Sequence, residues 1–590
     1  MIQKSNYILN LYCIILLVCG LASCSKTKNT KNTKELLTIF ELSNGQESAN
    51  YEEGMWWWKE IDAQFDEVNI LEKGTTDDGE PLSLIIIDSD GATTIEPLEK
   101  RKKNVLFINN GIHPGEPDGV DASMLLVRDI LTNDTARELL KNNTLAIIPY
   151  YNIGGAKNRG RQSRANQEGP VDYGFRGNAQ NLDLNRDFIK NDSKNAQSFV
   201  QIFQLLDPDL YIETHVSNGA NYQYTMTCLP TLHQKLDAPL GDYFKSKWLD
   251  SMYVLMQKDG EIMCPYVNVF ETAPDSGMEA FIDGPRYSSG YAALFQTPSF
   301  ITETLMLKSF KKRVNATYAF LKNVLILSNN TSQLRPTRIK ARKQLQLKET
   351  CFLDWKIDAS NFDWLHFDGF EANDVYSEIT GNKILKYDET KPKSMEIKYF
   401  NKALGMNNQT IPKYFILERG FYKVKDLLTL NGVIYTPLLK DSVIDVSVFV
   451  IDSFKTVGMA YEGHYQHFET RTSIIKKKIK LNKGTWLIPT NQKARRFLME
   501  VFVPSAPDSY FNWNFFDTRL QQKEWYSTYV FESKAAALLA ENAELKKQFE
   551  QKIKIDTAFA ANPRARLYYL YQHSEYYEPE HKTLPVYALY

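Results

Sequence analysis

One stretch constrains this chain more than any other: an apolar run followed by a glycine turn and two chemically active side chains. Val105 to Ile108 is short and apolar, and Asn109-Asn110-Gly111 follows it. The pattern predicts a buried strand of an α/β sheet that delivers polar residues to a loop. That loop carries His113 and Glu116. Because ligands of open α/β sheets sit beyond the carboxyl ends of the strands, we interpret the two side chains as zinc ligands.

The His-x-x-Glu spacing by itself is a weak signal, and a solvated loop pair is the alternative interpretation. A catalytic zinc site needs three protein ligands and one open position, so a third ligand decides between them. His215 is best placed, since it ends the apolar strand Leu210–Thr214 about 100 residues after His113. His464 and His467 form a His-x-x-His without a matching carboxylate, which predicts a β-surface feature.

Length and charge narrow the class of protein. A chain of 590 residues exceeds the size at which one hydrophobic core stops growing, so two or more domains are expected. The net charge of −1 gives no support for a nucleic-acid partner. The sequence leaves the oligomeric state open.

The first residues read as an export signal rather than as part of the fold. An apolar stretch follows Lys4 and ends in Leu21-Ala22-Ser23-Cys24, which resembles a bacterial lipobox. This predicts a signal peptide over 1–23, lipid attachment at Cys24 and a polar tether to residue 44. The expected product is an exported lipoprotein held on a membrane of the bacterial cell envelope. An ordinary secretory signal with an incidental cysteine is the alternative.

Cysteines add little to the framework of the mature chain. Cys228, Cys264 and Cys351 remain besides the lipidation site, too few for a disulfide scaffold. A bridge between Cys228 and Cys264 stays open. None has zinc-type spacing, so any metal must be held by His and carboxylate groups.

The alternation of elements predicts the fold class. Strands and helices alternate through 45–330, which favours βαβ units in a mixed, mainly parallel twisted sheet with helices on both faces. Residues 336–530 show alternating apolar and polar runs typical of a mostly β accessory domain. Residues 531–590 form a helical segment with a tyrosine-rich end.

Four separated pieces, in order, resemble the zinc carboxypeptidase family of funnelin type. They are His-x-x-Glu after a strand, Asp183-Leu184-Asn185-Arg186, His215 at the end of a later strand, and Glu303 at the end of the apolar run Pro298–Thr302. The resemblance spans about residues 45 to 330. It implies a zinc carboxypeptidase-like catalytic domain with one zinc ion per chain.

The resemblance also implies roles for individual side chains. Glu303 matches the general base, and Arg186 with Asn185 matches the pair that binds a terminal carboxylate through two parallel hydrogen bonds. A second arginine should stabilise the developing oxyanion; we choose Arg176, with Arg164 as the alternative.

Three further positions complete the predicted site. Asp183 is expected to hold the second ring nitrogen of a His ligand. Tyr287 resembles the mobile substrate tyrosine of the family, with Tyr291 as the alternative. Gly115 stands where digestive members often carry Arg, which predicts the loss of one charge from the substrate site.

The predicted function is hydrolysis of C-terminal residues from peptides by a zinc-activated water. Two other hydrolytic functions remain open: release of an acyl group by an amidase-like or deacylase-like relative, and cleavage of peptidoglycan stem peptides. A catalytically inactive surface-binding protein on the same fold is the alternative from another class.

Overall fold

A computed structural model describes residues 36–590. The predicted signal peptide over 1–23 and Cys24 lie outside the described residues, as does most of the predicted tether. Within 36–590, no helix is both long and apolar enough to cross a lipid bilayer.

Seventeen α-helices and nineteen strands make up the described part of the chain. The helices are α1 (Ile39–Leu42), α2 (Tyr51–Gln64), α3 (Asp118–Thr132), α4 (Asp134–Arg137), α5 (Ile153–Lys157), α6 (Lys194–Leu206), α7 (Ala238–Tyr243), α8 (Asp250–Lys258), α9 (Ser288–Leu294), α10 (Phe310–Asn330), α11 (Leu334–Leu345), α12 (Tyr422–Leu430), α13 (Arg495–Phe502), α14 (Thr528–Glu541), α15 (Ala543–Ile555), α16 (Thr557–Ala560) and α17 (Pro563–Gln572). The strands are β1 (Val68–Lys73), β2 (Leu82–Ile87), β3 (Asn104–Asn109), β4 (Asn143–Ile148), β5 (Leu210–Ser217), β6 (Met226–Pro230), β7 (Met263–Pro265), β8 (Met278–Glu279), β9 (Ser299–Leu305), β10 (Thr350–Ile357), β11 (Asp363–Ser377), β12 (Asn382–Phe400), β13 (Ala403–Thr410), β14 (Tyr414–Leu417), β15 (Thr436–Pro437), β16 (Ser442–Thr456), β17 (His467–Leu481), β18 (Trp486–Pro489) and β19 (Thr583–Leu589).

The first half of the chain is built on one mixed sheet of eight strands in the order β1-β2-β4-β3-β5-β9-β6-β7. The central pairs β4-β3, β3-β5 and β5-β9 are parallel, whereas β1, β2 and β6 pair antiparallel with their inner neighbours. The predicted mixed sheet with a parallel centre is therefore confirmed. Because β3, β5 and β9 run in the same direction, their carboxyl ends meet at one edge.

Both faces of this sheet are buried, which explains the nearly continuous apolar runs in its central strands. Alternate residues of β3 point to opposite sides: Leu106 and Ile108 pack in one core with α2, α3 and α10. Val105 and Phe107 pack in a second core with α6. Helices thus cover both faces, as predicted.

A second sheet dominates the later part of the chain, with six strands in the order β15-β18-β14-β19-β16-β17. Strand β19, at the end of the tyrosine-rich segment, lies between β14 and β16, so the sheet contains strands from both predicted C-terminal segments. Helices α14 to α17 form a separate small cluster.

The second core joins the two parts of the molecule. It contains Phe203 and Tyr291 from the first half together with Phe415, Leu428 and Phe497 from the second. The C-terminal region therefore packs directly on helices of the first half.

Cys228, Cys264 and Cys351 are buried free thiols. Strands β6 and β7 place Cys228 opposite Pro265 and Thr227 opposite Cys264, so the two thiols lie on neighbouring strands without a bridge.

Candidate metal centre

The conformation of the turn after β3 is fixed by residues that precede the first metal ligand, His113. Gly111 adopts φ +66°, a left-handed conformation that favours glycine. The Asn110 side chain donates to Ser123 Oγ (2.9 Å) and accepts from Thr214 Oγ1 (2.9 Å). The start of the ligand loop is thereby tied both to α3 and to β5.

The three predicted ligands converge on one point. Nδ1 of His113 lies 3.2 Å from Oε1 of Glu116 and 3.2 Å from Nδ1 of His215. Nδ1 of His215 lies 3.2 Å from Oε2 of Glu116. A tetrahedral zinc ion with bonds of about 2.0–2.1 Å would separate its ligands by about 3.3 Å. Within residues 36–590, this is the one group of His, Cys, Asp and Glu side chains with such convergence.

Hydrogen bonds behind the two imidazoles show that the site fits a cation. Nε2 of His113 faces Asp183 Oδ1 at 3.0 Å, and Nε2 of His215 faces Glu213 Oε2 at 2.9 Å. A nitrogen that faces a carboxylate carries the proton, so each Nδ1 presents a lone pair. When both rings are neutral, these two lone pairs and the Glu116 carboxylate converge on one point, an arrangement that a metal ion satisfies.

The electrostatics of the ligands point the same way. Burial opposes ionisation of Glu116, but the Arg164 guanidinium and the imidazole of His113 outweigh it and hold the pKa of Glu116 well below its ordinary value. Burial alone would lower the pKa of His215, yet hydrogen bonds to Glu116 and Glu213 raise it to about 10. The site therefore attracts positive charge.

Glu303 lies beside the metal ligands. Residues 215 and 303 are register partners on the parallel strands β5 and β9, and both side chains line the same cleft. Burial raises the pKa of Glu303 to about 7, although His215 acts in the opposite direction. A carboxylate with this pKa beside a metal site is suited to accept a proton near neutral pH.

The two predicted substrate arginines occupy the same cleft. Arg176 donates to Asp183 Oδ2 from Nε (3.0 Å), and its Nη2 lies 2.9 Å from the same oxygen. Arg186 donates from Nη1 to the carbonyl of Asn185 at 2.7 Å. Arg176, Asn185 and Arg186 line the cleft wall. The one-turn helix Leu184–Arg186, capped by the Asp183 side chain, fixes these positions.

Arg164, the predicted alternative to Arg176, lies against the metal ligand Glu116. Its Nη2 donates to Glu116 Oε1 at 2.6 Å, and a Cβ on Gly115 would lie only 2.2 Å from its Nε. The guanidinium therefore fills the space that Gly115 leaves empty. An arginine from a later loop thus lies beside Gly115, with its charge paired with that of Glu116.

The two candidate tyrosines separate clearly. The Tyr287 ring lies 4.5 Å from the Arg186 guanidinium and lines the cleft. Tyr291 is fully buried and donates to Asn431 Oδ1 at 2.7 Å, so it belongs to the core between the two halves.

The cleft has a volume of about 390 Å³. Besides the groups above, apolar side chains of Leu229, Phe281 and Ile301 line it, together with Asp283. Oδ1 of Asp283 accepts from Lys235 Nζ at 2.7 Å, and within residues 36–590 its Oδ2 is buried without a hydrogen-bond partner.

Three site residues were not found by sequence reasoning. Glu213 had a signal, because residues two apart on a strand share a face and Glu213 precedes His215 by two. Tyr461 and Glu462 contact Arg186 and Asp183 from the C-terminal region. No pattern in the sequence relates these pairs.

The two histidines of the His-x-x-His pair each face a different carboxylate. His464 Nε2 lies 2.8 Å from Asp192 Oδ2, and His467 Nε2 lies 3.1 Å from Asp517 Oδ1. His467 is 5% exposed, so the prediction of a β-surface position is wrong for it. The reason is that the Phe511 ring packs on its imidazole.

The chain has low similarity to several solved carboxypeptidase structures. The metallo-carboxypeptidase from Burkholderia cenocepacia is 15% identical, with a TM-score of 0.37 over 48% of this chain and 69% of its own. That from Pseudomonas aeruginosa, in complex with (2-guanidinoethylmercapto)succinic acid, is 15% identical, with a TM-score of 0.36 over 47% and 69%. Carboxypeptidase A from Helicoverpa armigera is 12% identical, with a TM-score of 0.34 over 55% and 81%.

No curated protein matches the sequence. A family model does match it: residues 55–228 fit the model described as zinc carboxypeptidase. The matched range contains His113, Glu116 and His215, the three side chains that converge as metal ligands. Residues 55–228 therefore match the zinc carboxypeptidase family, and this match indicates a metallopeptidase hydrolase.

Proposed function

We propose that the protein is a zinc-dependent carboxypeptidase that removes C-terminal residues from peptides. One observation carries the proposal: the two histidine ligands His113 and His215, a half-buried carboxylate at Glu303 and the cations Arg176 and Arg186 line a single cleft. The metal ligands and the carboxylate provide the groups for hydrolysis of a peptide bond. The arginines provide the cation that recognises a free C-terminal carboxylate. The complete set favours an enzyme over a protein that only binds.

Each side chain then has a separate task. His113, Glu116 and His215 would hold the zinc ion, which when bound would lower the pKa of a water molecule to about 7 and polarise a carbonyl. Glu303 accepts the proton of the attacking water and passes it to the leaving amine. Arg176 lies where it can stabilise negative charge on the carbonyl oxygen.

Arg186 and Asn185 are assigned to the terminal carboxylate. Within residues 36–590, Nη2 of Arg186 has no hydrogen-bond acceptor, whereas Nε and Nη1 are occupied. A substrate carboxylate can accept hydrogen bonds from Nη2. Tyr287 packs on the face of the guanidinium and closes one side of the subsite.

The test is hydrolysis of a panel of peptides by purified protein with measured zinc content. The panel varies only the last residue and includes apolar and basic ones, since apolar walls and Asp283 line the cleft. We expect release of single C-terminal residues, loss of activity with a chelator and recovery with zinc. His113→Ala should lose both zinc and activity.

The two hydrolytic alternatives give different products. An amidase-like or deacylase-like enzyme would release an acyl group from an N-acylated amino acid, and a peptidoglycan hydrolase would act on stem peptides in preference to ordinary ones. Incubation with N-acyl amino acids, defined peptides and peptidoglycan fragments separates them. Release of amino acids from the peptides at the highest rate supports the proposal, and a clear preference for either other substrate contradicts it.

We also propose export and lipid anchoring, on the sequence of residues 1–24 alone. Labelling of cells with a radioactive fatty acid should mark the protein, and Cys24→Ser should abolish the label. Export without labelling would instead favour the ordinary secretory signal.

A further inference from the structure

The hairpin β16-β17 of the C-terminal region reaches into the catalytic half. Residues 457–466 connect the two strands and contain a tight turn, in which Tyr461 and His464 exchange backbone hydrogen bonds of 2.7 and 3.0 Å. Glu462 and Gly463 form its centre with φ values of +50° and +80°.

Glu462 is an unfavourable residue for that position. Two-residue hairpin turns with positive φ at both centres favour Asn or Gly, because most side chains are strained there. Holding a non-glycine residue in this region is unfavourable, and such a conformation persists where the surroundings require it. We therefore expect the Glu462 side chain to make a contact that compensates for the strain.

The contact is made with the loop that carries the predicted substrate residues. Oε2 of Glu462 accepts from the backbone N–H of Asp183 at 2.7 Å. Asp183 in turn binds His113 and Arg176 through its two carboxylate oxygens. The turn thus holds the residue that orients both a metal ligand and a cleft arginine.

Tyr461 acts on the carboxylate-binding arginine itself. Its hydroxyl accepts from Nε of Arg186 at 3.0 Å, and its ring lies in stacked orientation 6.2 Å from the ring of Trp513. The Arg186 guanidinium is therefore held along one edge by Tyr461, on one face by Tyr287 and at Nη1 by the Asn185 carbonyl. Within residues 36–590, Nη2 has no hydrogen-bond acceptor and is available to a ligand.

We propose that the turn Tyr461–His464 is a working part of the substrate site, in which Tyr461 and Glu462 are positioning residues for Arg186 and Asp183. On this proposal the C-terminal region completes the carboxylate subsite rather than serving as a separate binding module. The proposal rests on the proposed function, since it assumes that Arg186 reads the terminal carboxylate.

The test compares full-length variants on one peptide with a free C-terminus and on the same peptide with an amidated C-terminus. Tyr461→Phe removes one hydroxyl and should raise KM for the free acid about tenfold, the factor for roughly 1.4 kcal/mol of lost interaction, with kcat within about twofold. The preference for acid over amide should fall by the same factor. Tyr465→Phe, on the same connection and 58% exposed, is the matched control and should behave as wild type.

Glu462→Gly provides a second variant that relieves the backbone strain while it removes the carboxylate. We expect a midpoint of thermal unfolding no lower than about 2 °C below that of the wild type, but a kcat/KM about tenfold lower. A residue with only a structural role would show the reverse, an unchanged kcat/KM with altered stability.

Arg186→Ala distinguishes the role of Arg186 in carboxylate binding from the role of the turn. If it leaves both KM and the preference for acid over amide unchanged, the assignment of Arg186 in the proposed function fails. If Arg186→Ala loses that preference while Tyr461→Phe and Glu462→Gly match the Tyr465→Phe control, the role of the turn is overturned.

Discussion

At the scale of single residues, the metal centre depends on which ring nitrogen of each imidazole carries the proton. Asp183 and Glu213 fix that choice by accepting from Nε2 of His113 and His215. The two Nδ1 atoms are left as ligands facing Glu116. A single buried carboxylate behind each ring thus decides whether the pair can bind metal.

Glu303→Gln separates metal binding from catalysis. Glutamine keeps the shape of the side chain but cannot accept the proton of the attacking water, so kcat should fall by about 10²–10⁴-fold. Zinc content should stay at that of the wild type, because the residue is not a ligand. Kinetics with a peptide substrate and metal analysis of the same sample check both; an active Glu303→Gln would remove the general-base assignment.

Asp121 predicts a dependence of stability on pH. It is fully buried in α3, accepts from Ser48 Oγ at 2.5 Å, and within residues 36–590 its Oδ1 has no partner. Burial raises the pKa of Asp121 to about 7. The folded state then binds more protons than the unfolded state between about pH 4 and pH 7, so this residue lowers stability as pH rises through that window.

Asp121→Asn should therefore stabilise the protein above about pH 8 by roughly 1–3 kcal/mol and have little effect near pH 5, where the carboxyl is already neutral. Denaturant unfolding at the two pH values measures the difference. An equal shift at both would mean that the charge is not responsible.

At the scale of elements, β5 is the strand that organises the site. Its alternate residues Tyr211, Glu213 and His215 share one face, and the Tyr211 hydroxyl donates to Glu213 Oε1 at 2.6 Å. The Ser288 hydroxyl at the start of α9 donates to Glu213 Oε2 at 2.7 Å. The strand thus presents a metal ligand together with the carboxylate that orients it.

Glu213→Gln should weaken zinc binding about 10–100-fold, because a neutral amide holds the His215 ring less firmly than a carboxylate does. Titration against a competing chelator measures the affinity. With saturating zinc we expect KM to remain near that of the wild type, and Glu303→Gln serves as the control with normal zinc affinity. Equal affinities for Glu213→Gln and the wild type would contradict the role of Glu213.

At the scale of the whole molecule, the two halves share a hydrophobic core. Phe295 at the end of α9 packs on Phe497 of α13 with ring centroids 6.1 Å apart. Helix α9 also presents Ser288 to Glu213. Packing between the halves therefore supports an element that supports the metal site.

Phe497→Ala should lower the free energy of unfolding by about 3–5 kcal/mol, as expected for a fully buried phenylalanine. Because the core is shared, zinc release on heating should move to the same lower temperature as the loss of far-UV circular dichroism. Phe531→Ala, in the separate helical cluster, is the control and should leave zinc release unchanged. Unchanged zinc release in Phe497→Ala would show that the halves unfold independently.

Local sequence patterns predicted the three strands that carry the candidate site and the polar residue that ends each of them. Apolar runs ending in Asn109, His215 and Glu303 are local patterns, and parallel strands bring their carboxyl ends together wherever they lie in the chain. The meeting of His113, His215 and Glu303 in one cleft could be predicted for that reason.

The contacts of Arg164 and Arg186 follow from the tertiary structure alone. Arg164 fills the space at Gly115 from a distant loop, and Tyr461 holds Arg186 across 275 positions. Such contacts depend on how loops pack rather than on periodicity or spacing, so no local pattern records them. The same packing joins the C-terminal region to the catalytic half, which composition alone had presented as separate.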